Sequence, residues 1–426
     1  MKRKTRILII LAAVGVAVAL TAYALLPVVL PLFGHCGEPT MPVLEAKNEL
    51  SDKLCHDPDI GPYLVAVGYR REGFIDVTVE TEEALRKVPK CYRGWPVHRN
   101  IGKPMRVFHI AHACGVAAYG EDSLSSLYVD PDRWSEYRPL IGGISIGDRT
   151  TGGIPKDLLP LPFDDTVGGV GEGTLGMITY DNKILSAAHV IAFSGSVRRP
   201  LGAALYQPAG SQSEVGKLEK VMPITISSTA NNLADAAIAG INQGIEAIPG
   251  ETFCEDGGSY TVNGWTTVCQ GDTVRKSGVK TGITTTTIAS DSGDIIVYYG
   301  TRQVRFIDQY IVISYLDYDD ILSSVFAFFG DSGSAVVDDH NRLVGLVLGG
   351  EYCLPQSNYC ICGKYDQYLP GYDGTCQGIF VTSVSKAEHI VSGLGISMTP
   401  PGGGGGGSPP PIYMTGKDPP VCETPW

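Results

Sequence analysis

Three side chains able to cooperate in acyl transfer stand in the order histidine, aspartate, serine along this chain: His189, Asp235 and Ser332. His189 closes the run Ile184-Leu-Ser-Ala-Ala-His189. Asp235 is the one carboxylate in Ala234-Asp235-Ala-Ala-Ile-Ala-Gly240, and Ser332 lies in Gly330-Asp331-Ser332-Gly333-Ser334. A serine hydroxyl is a weak nucleophile at neutral pH and needs an adjacent base. Imidazole suits that task, and it needs a carboxylate to hold its tautomer and to stabilise the imidazolium. Asp235 needs a partner in any case, because an unpaired carboxylate among alanines would be costly to bury. Gly330 permits a tight turn whose N–H, with that of Ser332, can face a developing oxyanion. The base must be neutral to accept the proton, so the reading implies a rate that falls on acidification. From His189 to Asp235 is 46 residues, and from Asp235 to Ser332 is 97.

Positioning three side chains from such distant segments requires a scaffold of strands. Gly173 to Tyr180 alternates like a strand, Asp181-Asn182 turns, and Ile184 to Val190 returns. After Ser332, Ala335-Val336-Val337 and Leu343 to Leu348 form another such pair. From about residue 140 the chain consists of short β-rich runs broken by Gly, Asp and Asn, with no long helical pattern until 384–394, which predicts a barrel. Upstream, apolar spacing predicts an amphipathic helix over 43–55. Strands follow at Tyr63–Tyr69 and Phe74–Val79, split by a turn at Arg70–Gly73, and a second helix at 82–88. Composition agrees: 53 glycines and only 18% charged residues favour β structure with tight turns over a helical bundle. A net charge of −12 argues against nucleic acid as a partner.

The ends read differently. Lys2, Arg3, Lys4 and Arg6 precede a run, 7–26, without a charge; at 1.5 Å per residue it reaches roughly 30 Å, the depth of a bilayer core. Ala22-Tyr23-Ala24 suits signal-peptide cleavage, whereas the apolar continuation to Phe33 suits an uncleaved membrane anchor. Either way the body lies outside the cytoplasm, secreted or anchored with its N-terminus cytoplasmic. The expected organisation is a signal anchor or signal peptide at 1–33, a small α/β unit at 43–137 and a barrel domain at 138–398. A Pro/Gly linker at 399–411 and a short tail at 412–426 complete it.

The three motifs resemble those of the trypsin/chymotrypsin-like serine proteases, whose template carries the same order at separations of roughly 45 and roughly 93. The sequence looks closest to bacterial relatives of the plant narrow-leaf trypsin-like proteins, on the segments Gly142–Gly147, Gly173–Gly176, Lys276–Gly282 and Gly345–Gly350. The resemblance covers about residues 138–396. It implies a mostly β, double β-barrel fold with the active site between barrels, a triad of His189, Asp235 and Ser332, and an oxyanion hole from the Gly330 and Ser332 amides. It implies a peptide or protein substrate and no cofactor. Two departures are visible: no Cys follows His189, and Ser334-Ala335 replaces the Gly-Pro of the animal enzymes. By the same resemblance Phe326, six residues before Ser332, falls at the pocket floor, and Leu348, Gly349 and Gly350 form a wall. Neither place carries an acid, so small or medium apolar P1 residues are expected. Arg138-Pro139-Leu140-Ile141 imitates an activation site whose freed N-terminus would pair with Asp331, but proline after the arginine makes a poor tryptic bond. The competing reading is an idle protease-like module for peptide binding or cell-surface assembly.

Other residues receive plainer readings. Asp291-Ser292-Gly293 repeats the D-S-G string without the preceding Gly and reads as a hairpin loop. Arg275, Lys276 and Lys280 read as an exposed charge cluster, and His340 and His389 as surface residues. His109, His112 and Cys114 lack a second ligand pair, so no metal is expected. Eleven cysteines in an extracytoplasmic chain should largely pair, with Cys254 and Cys269 a local disulfide candidate. A zinc site among Cys353, Cys360, Cys362 and Cys376 is the lesser alternative.

Overall fold

A computed structural model describes residues 36–71, 73–102, 104–107, 131–148, 172–254, 258–316, 325–353 and 378–400. The apolar run at 1–33, the His109/His112/Cys114 group, the cysteines at 360, 362 and 376, and residues 401–426 lie outside them. Among the described residues, no helix is long and apolar enough to cross a membrane. The fold is mostly β, built on two barrel-like sheets of seven and eleven strands.

In the seven-stranded sheet, β-branched and small residues point inward: Ile144, Ile146, Ile184, Val215 and Ala239 are fully buried. Its central pairing decides where the chemistry can sit. Lys183–Ser186 runs antiparallel to Ala237–Ile241, with Ser186 opposite Ala237. The helical turn Ala188–Ile191 begins two residues after the first strand ends. Asp235 stands two residues before the second begins. One register therefore brings His189 and Asp235 to the same end of the sheet.

The larger sheet carries Ser332. Ala335–Val337 pairs antiparallel with Leu343–Cys353, which pairs with Gly378–Lys386. Val274, Ile288, Val312, Val336, Val347 and Val384 fill the interior between these strands and a long hairpin, Gly282–Tyr299 with Arg302–Leu316. The last helix, Ala387–Leu394, starts later than the 384 expected, because the strand continues through Lys386.

The N-terminal unit forms from the elements its spacing predicts. Helix Val43–His56 lays Ala46, Leu50 and Leu54 on Val67, Ile75 and Val77 of the strands Leu64–Arg70 and Phe74–Val79. Each leucine, isoleucine or valine so removed from water contributes about 1.5–3 kcal/mol. Gly73, at φ +96°, makes the turn between the strands, and a Cys36–Cys91 disulfide ties the start of the unit to its third strand region. The unit's sheet does not end there. Leu64–Arg70 pairs with Gly282–Tyr299, Ala66 opposite Ile295 and Val67 opposite Asp294, so the long hairpin extends it.

That pairing corrects the reading of Asp291-Ser292-Gly293. The three residues lie inside the hairpin's first strand, where its register with the second shifts twice, and not in a loop. The bulged stretch is a docking site. Asp291 accepts Tyr69 Oη at 2.7 Å and pairs with Arg71 at 2.5 Å. Three residues on, buried Asp294 takes Lys47 Nζ at 2.8 Å, Arg305 at 3.4 Å and the Asp308 N–H at 3.0 Å. Lys47 and Arg305 are themselves 0% and 3% exposed, so neither cation has solvent to fall back on. Asp294→Ala should therefore cost about 3–5 kcal/mol in urea unfolding, because it leaves buried Lys47 without a carboxylate among the described residues and Arg305 with only Asp52 at 3.8 Å. A change below about 1 kcal/mol would refute this account of the junction.

Candidate active site

His189 and Asp235 meet as the strand register requires. The His189 main-chain N–H donates to Asp235 Oδ1 at 3.0 Å, and His189 Nδ1 bonds Asp235 Oδ2. Both residues are buried. With a carboxylate on Nδ1, that nitrogen carries the proton and Nε2 keeps a lone pair. The Asp235 N–H donates to Ser385 Oγ at 3.0 Å, and that hydroxyl donates to Gln309 Oε1 at 2.9 Å, which ties Asp235 to the second barrel.

Tyr299, at the end of the hairpin's first strand, is a residue that sequence reasoning missed. Its fully buried ring stands edge-on to His189 with centroids 6.0 Å apart. Burial, together with the nearby Asp235 carboxylate, pushes its hydroxyl well above the ordinary tyrosine range. Tyr299 thus places a neutral hydroxyl, with no hydrogen-bond partner among the described residues, beside the His189–Asp235 pair. No local motif announces it, because only the hairpin's reach into the first barrel brings it there.

The turn that carries Ser332 is held by the first barrel's strand Glu172–Leu175. The Thr174 N–H donates to the Ser332 carbonyl at 2.8 Å, and Thr174 Oγ1 donates to the Gly330 carbonyl at 2.9 Å. A side chain at Gly173 would run into Val190 and the Ser332 carbonyl. Gly333, at φ +86°, packs on Ser186 and Ala187, so the serine turn abuts the segment that carries His189. The Asp331 carbonyl accepts both the N–H (3.0 Å) and the hydroxyl (2.6 Å) of Ser334. In a trans peptide the N–H points opposite its carbonyl, so this aims the Ser332 N–H away from Ser334. Neither that N–H nor the Gly330 N–H donates to any group among the described residues. The Ser332 hydroxyl itself donates to the Leu348 carbonyl at 3.3 Å.

Asp331 is buried and fully met. Its Oδ1 accepts the Lys280 and Thr281 N–H groups at 2.9 and 3.2 Å. Its Oδ2 takes Thr281 Oγ1 at 2.7 Å, the Phe328 N–H at 2.9 Å and Lys276 Nζ at 3.4 Å. This corrects the reading of Lys276 as exposed: it has no exposed surface and carries the countercharge of Asp331. It also bears on Arg138-Pro139-Leu140-Ile141, since Asp331 already has a cation and Ile141 is buried in the strand Leu140–Gly142.

Of the expected pocket residues, Leu348, Gly349 and Gly350 lie consecutively on the strand paired beside the serine turn. Phe326 is 1% exposed and packs into the second barrel's core, its N–H on Ser314 Oγ and its carbonyl on Thr284 Oγ1. Among the other residues singled out, His340 is exposed beside Asp339, and His389 bonds Asp308 at 2.9 Å. The expected Cys254–Cys269 pair is not made: Cys254 is a free thiol and Cys269 is disulfide-bonded elsewhere. The reason is topological, since Cys254 closes the hairpin Ala247–Phe253/Ser259–Thr261 while Cys269 caps a different turn on Asp272.

Residues 167–370, somewhat under half of the chain, match the family model described as Trypsin. Those residues thus form a serine-type peptidase domain similar to trypsin, within a fold that is mostly β. Similar solved structures include a chymotrypsin from Cellulomonas bogoriensis, at 17% identity and a TM-score of 0.36, covering 61% of this chain and 97% of that one. Protease A of Thermobifida fusca, at 16% and 0.37, covers 61% and 98%. A Nocardiopsis protease, at 16% and 0.36, covers 61% and 98%. No curated protein matches the chain.

Glu172, next to Gly173, titrates unusually: burial raises its carboxyl from 4.5 to about 7, with Lys280 opposing. A carboxyl raised on folding binds its proton more tightly in the native state, so stability declines as pH rises from about 4.5 to about 7. Glu172→Gln should accordingly be more stable than wild type at pH 8 and gain less at pH 5, read from urea midpoints. An equal difference at both values would contradict the assignment.

Proposed function

We propose that this chain is an extracytoplasmic serine endopeptidase acting through His189, Asp235 and Ser332 and an acyl-enzyme. The observation that carries the reading is the buried Asp235 carboxylate taking both the main-chain N–H and Nδ1 of His189, with the Ser332 turn packed on the same segment. In this reading His189 Nε2 accepts the Ser332 proton as Oγ attacks the substrate carbonyl. The Gly330 and Ser332 N–H groups receive the oxyanion, and His189 returns the proton to the leaving amine. Water then repeats the sequence on the ester, giving its proton to His189 and releasing Ser332. Asp235 orients the imidazole and stabilises the imidazolium as it forms. Phe326, Leu348, Gly349 and Gly350 are proposed to line an apolar P1 pocket. A kinship with bacterial proteins similar to the plant narrow-leaf trypsin-like ones is part of this proposal. Placement outside the cytoplasm rests on the basic flank before residues 7–26 and on the cysteine usage, with Cys36–Cys91 in keeping.

The observation on the side of an idle module is the Ser332 hydroxyl's bond to the Leu348 carbonyl. Labelling with a small fluorophosphonate separates the two. Wild type should label and Ser332→Ala should not; a folded wild type that stays unlabelled leaves the idle module as the better reading. Tyr299→Phe should lower kcat about 3- to 10-fold at similar KM, the range for losing one neutral polar group, since the hydroxyl lies near the Asp235 carboxylate without bonding it. A wild-type kcat in that variant would remove Tyr299 from the machinery.

A further inference from the structure

One short strand of the N-terminal unit carries it past its own sheet, beyond the pairing of Leu64–Arg70 with the hairpin. Met105–Val107 pairs on one side in parallel with the long hairpin, Met105 opposite Val297 and Arg106 opposite Tyr298. On the other side it pairs antiparallel with Leu343–Cys353, Val107 opposite Gly349 and Arg106 opposite Gly350. Along that strand, Gly378–Lys386 covers one edge from Gly345 to Cys353. Ala335–Val337 covers the other edge only as far as Leu346. The open stretch begins at Leu348, whose carbonyl holds the Ser332 hydroxyl. Met105–Val107 fills that stretch.

Chemistry decides what else would need the same edge. On the proposed peptidase reading, an acyl donor must bring a carbonyl to Ser332 with its preceding residues extended beside the serine turn. Leu343–Cys353 leads away from Ser332 as it passes from Leu348 to Gly350. A chain whose C-terminal side reaches Ser332 therefore runs antiparallel to it. Met105–Val107 has that direction, advancing from Gly350 toward Leu348. Adding a strand to an exposed edge is a general way to bind extended peptides, the main chain supplying the affinity. Gly349 and Gly350 are buried, and so is the Ser332 side chain.

The geometry assigns Met105–Val107 to the place of the substrate's main chain, so that the intact chain competes with its own substrate. The inference rests on the peptidase reading above and adds to it the occupant of the site. The N-terminal unit is held to the hairpin by Lys47–Asp294, Arg305–Ser51 and Asp291 with Tyr69 and Arg71. Tethered this way, the strand acts at a high effective concentration, and an extended ligand must displace it. A reagent too small to need the edge does not have to.

Two phosphonates of matched reactivity test this on full-length protein confirmed intact by mass: a small fluorophosphonate, and a tetrapeptidyl phosphonate that must pair along Gly349–Gly350. Arg106→Pro removes an N–H and fixes φ in the middle of the strand, which β pairing does not tolerate. The expected result is small-probe labelling at similar rates in wild type and variant, with peptidyl labelling faster in Arg106→Pro by about tenfold or more. Lys47→Met loosens the unit at its anchor without touching the edge, and should raise peptidyl labelling in the same sense; it stands in if Arg106→Pro does not fold. Equal peptidyl rates in wild type and a folded variant overturn the inference while leaving the peptidase reading intact. Failure of the small probe on folded wild type sinks both.

Discussion

The buried Asp331 carboxylate must be met by donors that no single segment can supply. Lys276 and Thr281 come from either side of one turn, the Lys280 N–H from within it, and the Phe328 N–H from the serine turn itself. Meeting that charge locks the turn before Ser332 to the strand Thr273–Gly278, and so orients the next peptide plane. Thr174 and Ser334 then hold the flanking carbonyls. Leaving any one of these groups unpaired would cost more than forming the bond gains, so the arrangement is held by what its alternatives would cost. The direction of the Ser332 N–H follows from there.

The same physics recurs at two other carboxylates. Asp235 is met by the two nitrogens of His189, and it links the barrels through Ser385 and Gln309. Asp294 is met by Lys47 and Arg305, and it links the N-terminal unit to the hairpin. Three buried acids thus mark the nucleophile turn, the proposed base and the junction with the N-terminal unit. The long hairpin connects the last two. Its Tyr299 stands on His189 while Asp291 and Asp294, earlier in the same strand, hold the unit. Occupation of the Gly349–Gly350 edge and organisation of the His189–Asp235 pair therefore depend on one element.

His189, Asp235 and Ser332 stand out in the sequence as candidates because the proposed chemistry demands particular residue types in particular local settings. The helix Val43–His56 and the strand Phe74–Val79 are legible because burial of one face imposes a period. Spacing also shows a β-rich region after residue 140. By itself, the sequence determines this much, since each of these signals is carried by residues near one another in the chain. Lys276 reads as exposed because a lysine between Arg275 and Ser277 carries no mark of the acid 55 residues away that buries it. Asp291 reads as a loop because Gly293 and its polar neighbours suit a turn, and the tyrosine and arginine that dock on it lie more than 200 residues upstream. Cys254 and Cys269 look paired by proximity in sequence, but strand topology sends them to different turns. Tyr299 beside His189, and Met105–Val107 on the edge next to Ser332, belong to the same class. Tertiary structure alone decided them, because partner choice for a buried charge or an open strand edge is set by which distant segments the barrels bring together.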